Sequence, residues 1–274
     1  MRLRHAWVKA LVAAGAGLSL AATGCSPTAP AAPSTAGITV STSPSPSVAG
    51  NVTVYAAASL QQTYATLGNQ LHQANPGLTV KFVFGGSSDL VSQLTAGAPG
   101  DVLATADEKT MQSAREAGLL AGDPVIFATN HLTIVTAPGN PLGITGLADL
   151  TKPGLKLVVC APQVPCGSAT NQVAKLAGVR LAPVSEENSV TGVLSKVVSG
   201  DADAGLVYTT DAKGAGGKVS TVSFPESSQV TNRYPIAVLK SATNKRAADL
   251  FVAQVTGTAG QQVLQEAGFG PANG

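Results

Sequence analysis

Residues 52–64 read Val-Thr-Val-Tyr-Ala-Ala-Ala-Ser-Leu-Gln-Gln-Thr-Tyr. The stretch opens as an apolar, β-branched run and turns over at Ala57-Ala58-Ser59. It continues with Leu60, Tyr64, Leu67, Leu71 and Ala74, spaced by fours and threes. That pattern is a strand feeding a helix. Ser59 stands at the junction. A hydroxyl there either caps free backbone N–H groups or shares them with an anion.

The same switch of period recurs along the chain. Strand-like runs are expected at 52–56, 79–84, 101–105, 124–128, 131–136, 155–159, 204–208, 219–224 and 235–239. Helix-like runs are expected at 60–74, 88–97, 108–117, 168–177, 190–199, 245–256 and 258–267. Alternation of this kind predicts an α/β fold built from mostly parallel sheets with helices on both faces. Such sheets bind ligands beyond the carboxyl ends of their strands, where helix N-termini point. Four junctions qualify: Ala57-Ala58-Ser59, Gly85-Gly86-Ser87-Ser88, Val164-Pro165-Cys166-Gly167 and Asn188-Ser189-Val190-Thr191. Each alone reads as an ordinary helix cap. Together they suggest an anion site.

The 274 residues are only 12% charged and 4% aromatic. Low charge with abundant Ala, Gly, Val, Ser and Thr points to a compact secreted domain, since disordered chains are rich in charge. Arg2, Arg4 and Lys9 precede an apolar run, Ala10 to Leu20, that is too short for a good membrane span. The run ends in Ala21-Ala22-Thr23-Gly24-Cys25, similar to a bacterial lipobox. Residues 1–24 are therefore expected to be a lipoprotein signal peptide, with Cys25 lipidated. The alternative is an ordinary signal peptide with an incidental Cys. Removing Arg2, Arg4 and Lys9 takes the net charge from +2 to −1, so the basic balance belongs to the leader and nucleic acid is not an expected partner. Residues 25–50 carry no charge and are rich in Ser, Thr, Pro and Ala, the composition of a tether.

Several stretches together carry a resemblance. They include Val-Tyr-Ala-Ala-Ala-Ser-Leu at 54–60, Phe-Gly-Gly-Ser-Ser-Asp-Leu at 84–90 and Ala-Gly-Ala-Pro-Gly-Asp-Val at 96–102. Further along come Val-Pro-Cys-Gly at 164–167, Ser-Val-Thr-Gly-Val-Leu at 189–194 and Ala-Gly-Leu-Val-Tyr-Thr-Thr-Asp-Ala at 204–212. Phe-Pro-Glu at 224–226, Tyr-Pro-Ile-Ala-Val at 234–238 and Ala-Gly-Phe at 267–269 complete the set. In order and spacing they resemble the molybdate-binding proteins (ModA family) of bacterial ABC importers, over about 51–270. The lipobox and tether are similar to those of mycobacterial and other actinobacterial members.

The resemblance implies a two-lobed periplasmic-binding-protein fold of class II, with a ligand cleft between lobes. Lobe 1 is expected at 51–130 plus 233–274 and lobe 2 at 131–232. It implies capture of molybdate or tungstate, not catalysis, and no cofactor. It also implies delivery to the permease and ATPase of an ABC importer, by a monomer anchored at the extracytoplasmic face of the cell membrane. The implied ligands are the hydroxyls and N–H groups of Ser59 and Ser87, the N–H groups of Cys166 and Val190, and the Tyr208 phenol. Cys166 departs from the small residue usual there.

Donors without Lys or Arg suit an unprotonated dianion. Hydrogen phosphate would need a carboxylate to accept its proton, and Asp89 and Asp211 lie near the junctions. Sulfate is the nearer rival, separated from molybdate only by size. Without ligand, the Ser59 hydroxyl is expected to fall back on capping its own helix. Cys160 and Cys166 are the only cysteines of the mature folded domain, and in an oxidising compartment a disulfide is expected, with two free thiols the alternative. A remote alternative is a hydrolase with Cys166 as nucleophile, but His72 and His131 are not placed by any motif to serve as its base. No cation site is expected. Tyr55, Tyr64 and Tyr234 read as core or rim residues.

Overall fold

The computed structural model describes residues 48–273. The expected leader, Cys25 and nearly all of the tether lie outside them. The first strands and helices are β1 (Gly50–Ala57), α1 (Gln61–Ala74), β2 (Leu78–Gly85), α2 (Ser87–Thr95), β3 (Val102–Ala104), α3 (Glu108–Glu116) and β4 (Val125–Asn130). There follow β5 (Leu132–Thr136), β6 (Leu157–Cys160), α4 (Pro165–Leu176), β7 (Ser185–Glu187), α5 (Val190–Ser199), β8 (Ala204–Tyr208), α6 (Thr209–Ala215) and β9 (Ser220–Val222). The chain ends with β10 (Asn232–Val238), α7 (Lys245–Thr256) and α8 (Thr258–Ala267).

Ten strands form two five-stranded sheets, β2-β1-β3-β10-β4 and β7-β6-β8-β5-β9. The chain leaves the first sheet between Asn130 and Leu132 and returns between Val222 and Asn232. Asn130 and Asn232 are paired across β4 and β10. Both sheets are mixed and mostly parallel, as expected: in each, four of the five strands run one way and one is reversed. β1 is parallel to β2 and β3, and β6 to β7 and β8, whereas β10 and β5 run antiparallel to their neighbours. The antiparallel strands are those at the crossings between sheets. Apolar runs report burial on both faces, so the sequence pattern does not mark which strand is reversed.

The first sheet is buried on both faces. Val52, Val54 and Ala56 point into a core shared with Tyr64, Leu67 and Leu71 of α1, while Tyr55 points into a second cluster with Leu90 and Leu94 of α2 and Met111 of α3. Gly68 on α1 sits close to β2: an added Cβ would lie 2.8 Å from the Phe82 ring, so a larger residue would push the helix off the sheet. The buried Asp101 carboxylate accepts N–H bonds from Thr53 (2.7 Å) and Thr243 (2.8 Å), tying β1 to the loop before α7.

Two elements escaped the sequence pattern. β7 is a polar edge strand of Ser-Glu-Glu, and α6 has only seven residues. Helix α4 begins at Pro165, three residues before its expected start. Proline fits the first helical position because its missing N–H has no intrahelical partner there.

Candidate functional site

The carboxyl ends of β1, β2 and β8 and the N-termini of α2, α4 and α5 converge on one small cavity. It is lined by Ala57, Ala58, Ser59, Gly85, Gly86, Ser87, Ala106, Val164, Pro165, Cys166, Ser189, Val190 and Tyr208. All five residues expected to hold a ligand are among them. Its volume is about 10 Å³, room for about one water-sized occupant. No Lys, Arg, Asp or Glu is in the lining.

The helix ends that meet there keep free donors. Neither α2, after Gly86, nor α4, after Val164, has a side-chain cap. The first N–H groups of a helix have no intrahelical acceptor, so these ends present unpaired donors and partial positive charge. Ser189 caps α5 by accepting from Gly192 N (3.3 Å), which leaves the Val190 N–H uncommitted to that cap.

The two serines are held differently from expectation. Residues 58–60 form a 3-10 turn ahead of α1, and Ser59 caps neither segment. Its hydroxyl lies 3.0 Å from the Tyr234 hydroxyl instead. The helix-capping fallback is therefore corrected: the hydroxyl is engaged by Tyr234, buried in β10, and forms no cap bond. Ser87 is buried, and its oxygen accepts the Ala106 N–H at 3.0 Å.

Tyr208 ends β8, wholly buried, and among the described residues its hydroxyl meets no partner with hydrogen-bond geometry, although it stands against the Tyr234 hydroxyl. Buried polar atoms are nearly always paired, so an unpaired one in a cavity wall marks a missing partner. Burial holds the phenol well above the ordinary tyrosine range, with Tyr234, Asp107 and Asp211 adding to it, so Tyr208 remains a proton donor. Asp211 accepts the Tyr208 N–H at 3.1 Å. Burial pushes its carboxyl up to about 7, and that hydrogen bond opposes the shift. Neither Asp211 nor Asp89 lines the cavity. Asp89 lies in the first turn of α2, and Asp211 faces a neighbouring groove.

Cys160 and Cys166 are joined in a disulfide. The bridge pins the first turn of α4 to the end of β6. An added Cβ on Gly167 would lie 1.9 Å from the Ala161 carbonyl oxygen, so only glycine fits behind it. With its sulfur bonded, Cys166 carries no thiol for the nucleophile of the hydrolase alternative. His72 and His131 bond backbone carbonyls of Leu78 and Ser227 and do not line the cavity.

Sequence reasoning missed Tyr234 and Asn130. Asn130 Oδ1 accepts from His131 N (3.0 Å) and the Thr209 hydroxyl (2.9 Å), while its Nδ2 donates to Thr210 Oγ1 (2.8 Å) and faces Tyr234 Oη (3.5 Å). Nothing in their local spacing marks them, because their role arises where the two sheets meet.

The profile of the bacterial extracellular solute-binding protein family matches residues 52–270. Over 235 residues the chain is 52% identical to the molybdate-binding protein ModA of Mycobacterium tuberculosis, covering 84% of this chain and 90% of that protein. The chain belongs to the ModA family of bacterial extracellular solute-binding proteins. The periplasmic molybdate-binding protein of Azotobacter vinelandii superposes with a TM-score of 0.69 at 25% identity, over 80% of this chain and 98% of that one. The sulfate-binding protein SubI of Mycobacterium tuberculosis has the same fold, with a TM-score of 0.68 at 23% identity over 81% and 87%. The architecture is thus the two-lobed fold of periplasmic binding proteins. The ModA family is extracytoplasmic, and among the described residues no helix is long and apolar enough to cross a membrane.

Proposed function

We propose that this chain captures molybdate, and tungstate with it, in the cavity between the two sheets and delivers it to the permease and ATPase of an ABC importer. The observation that carries this reading is a cavity with donors and no charged lining, closed by an unpartnered Tyr208 hydroxyl. The ligands are the hydroxyls and N–H groups of Ser59 and Ser87, the N–H groups of Cys166 and Val190, and the phenol of Tyr208. About six or seven charge-assisted hydrogen bonds, each contributing roughly 1.5–3 kcal/mol, reach submicromolar affinity after ordering and desolvation costs. Without a fixed cation, opening the lobes releases the ion without breaking an ion pair. The names of the relatives support molybdate, and the absence of a lining carboxylate weighs against hydrogen phosphate.

Lobe 1 comprises 51–130 plus 233–274 and lobe 2 comprises 131–232, a division supported by the two sheets. The protein acts as a non-enzymatic monomer without a cofactor. Lipid on Cys25 and the tether hold it at the extracytoplasmic face of the membrane. Calorimetry with molybdate, tungstate, sulfate and phosphate tests the reading. Tight molybdate and tungstate binding with weak sulfate supports it, while sulfate binding at micromolar or better strength with no preference for molybdate overturns it.

A further inference from the structure

The geometry points to Tyr234 as a positioning residue that turns the Ser59 hydroxyl hydrogen into the cavity and so makes the site selective for anions that carry no proton. The inference rests on the cavity being a tetrahedral-anion site.

The direction of the chain of hydrogen bonds is set at Asn130. The His131 backbone N–H can only donate, and it lies 3.0 Å from Asn130 Oδ1. That fixes the amide with its Nδ2 toward Thr210 Oγ1 and Tyr234 Oη. An amide NH₂ donates and does not accept. The Tyr234 oxygen therefore receives on that side, and its own hydrogen has two hydroxyls to choose from, Ser59 Oγ and Tyr208 Oη; only Ser59, 3.0 Å away, meets it with hydrogen-bond geometry. Burial raises the Tyr234 phenol well above its ordinary range, so this hydrogen stays in place. Ser59 then accepts from Tyr234, and its hydrogen points elsewhere, toward the cavity it lines.

Ser87 is held by the same logic with a different donor. Its oxygen accepts the Ala106 N–H, which can never reverse. Both serines are thus biased to donate. A cavity lined by hydrogens matches molybdate, tungstate or sulfate, whose oxygens only accept. It opposes hydrogen phosphate and hydrogen arsenate, each of which brings a hydrogen that finds no acceptor.

Tyr234→Phe removes only the hydroxyl. The ring keeps its edge-on packing against Phe127, Tyr208 and Phe269, at centroid distances of 6.2, 5.9 and 5.4 Å. The full-length protein and this variant are titrated with molybdate, sulfate and phosphate at one pH, with thermal melts run alongside. The expected result is molybdate binding weakened about three- to tenfold. Phosphate binding is unchanged or tighter, because a freed Ser59 hydroxyl can rotate and accept. The same substitution in a Ser59→Ala background should leave the molybdate-to-phosphate ratio unmoved. An equal weakening of both anions, or a ratio change that persists without Ser59, overturns the inference. Wild-type protein that binds sulfate and not molybdate defeats the molybdate reading instead, and the sulfate-to-phosphate ratio then tests Tyr234 in the same titration. Wild-type protein that binds neither dianion overturns both.

Discussion

Gly86 and Asn188 meet across the cavity with no room to spare: a Cβ added to Gly86 would lie 2.0 Å from the Asn188 carbonyl oxygen. The two residues belong to opposite sheets' loops, before α2 and before α5. Beside them Ser88 donates to the Gln163 carbonyl at 2.7 Å. Both contacts join the halves of the molecule directly over the site. Gly86→Ala is therefore expected to hold the halves apart. Molybdate affinity should fall by roughly tenfold or more while the melting temperature of the unliganded protein changes little, because Gly86 has an ordinary negative φ and no backbone strain is introduced. Calorimetry and a thermal melt on the same preparation check this.

Removing either serine hydroxyl takes a donor from a buried charge. Ser59→Ala and Ser87→Ala should each weaken molybdate binding by about 1–3 kcal/mol. Ser87→Ala should also cost stability, since the Ala106 N–H loses its acceptor. Ser59→Ala should cost less, because Ser59 is only half-buried and its partner Tyr234 can keep the Asn130 contact.

The disulfide closes a short loop, with a sequence separation of 6 between its cysteines. A loop of that size constrains the unfolded chain by about 2 kcal/mol in the chain-entropy account. The Cys160→Ser/Cys166→Ser double variant should unfold at correspondingly lower denaturant. It should retain most molybdate affinity, because the ligand contact at Cys166 is its backbone N–H. Loss of binding in a variant that still melts cooperatively would show that the bridge positions α4 as well as stabilising it.

Asp211 gives the protein a pH signature. Burial pushes its carboxyl up to about 7 from the ordinary 3.8, so between those values the folded protein holds a proton that the unfolded chain has released. The group's contribution to stability is complete below the lower value and is lost as pH rises toward the upper one. Asp211→Asn should flatten the melting temperature across that window and raise it above wild type at pH 8. Ionised Asp211, next to Tyr208, should also weaken dianion binding above neutrality, a trend absent in the variant.

The sequence disclosed the parts of the fold that depend on local burial. β1 and α1 were legible at 52–74 because apolar residues with the periods of a strand and a helix face packed layers on both sides. Helices α5, α7 and α8 have their expected bounds for the same reason. The mostly parallel direction was legible from the alternation of strands and helices, but which strand of each sheet is reversed was not, since Ile134 of β5 or Ile236 of β10 is buried equally in a parallel or an antiparallel neighbourhood. β7 was not, because Ser185–Glu187 pairs on one side only and carries no apolar pattern. The cavity lining was legible where it sits on strand-to-helix junctions. Tyr234 and Asn130 were not, because their significance comes from contacts at sequence separations of 175 and 104.

The two passages between sheets lie side by side, with Asn130 of β4 paired to Asn232 of β10, and the ladder slips at Tyr234/Pro235. A linker made of two bonded strands resists sliding and yields by bending at a few residues. Tyr234, the residue proposed to aim the Ser59 hydroxyl, thus stands two residues from the crossing at Asn232, where bending of the halves would be felt. Ion residence time and hinge stiffness are then not independent quantities in this protein. A substitution that softens the hinge at Tyr234 would also change which ions the cavity retains.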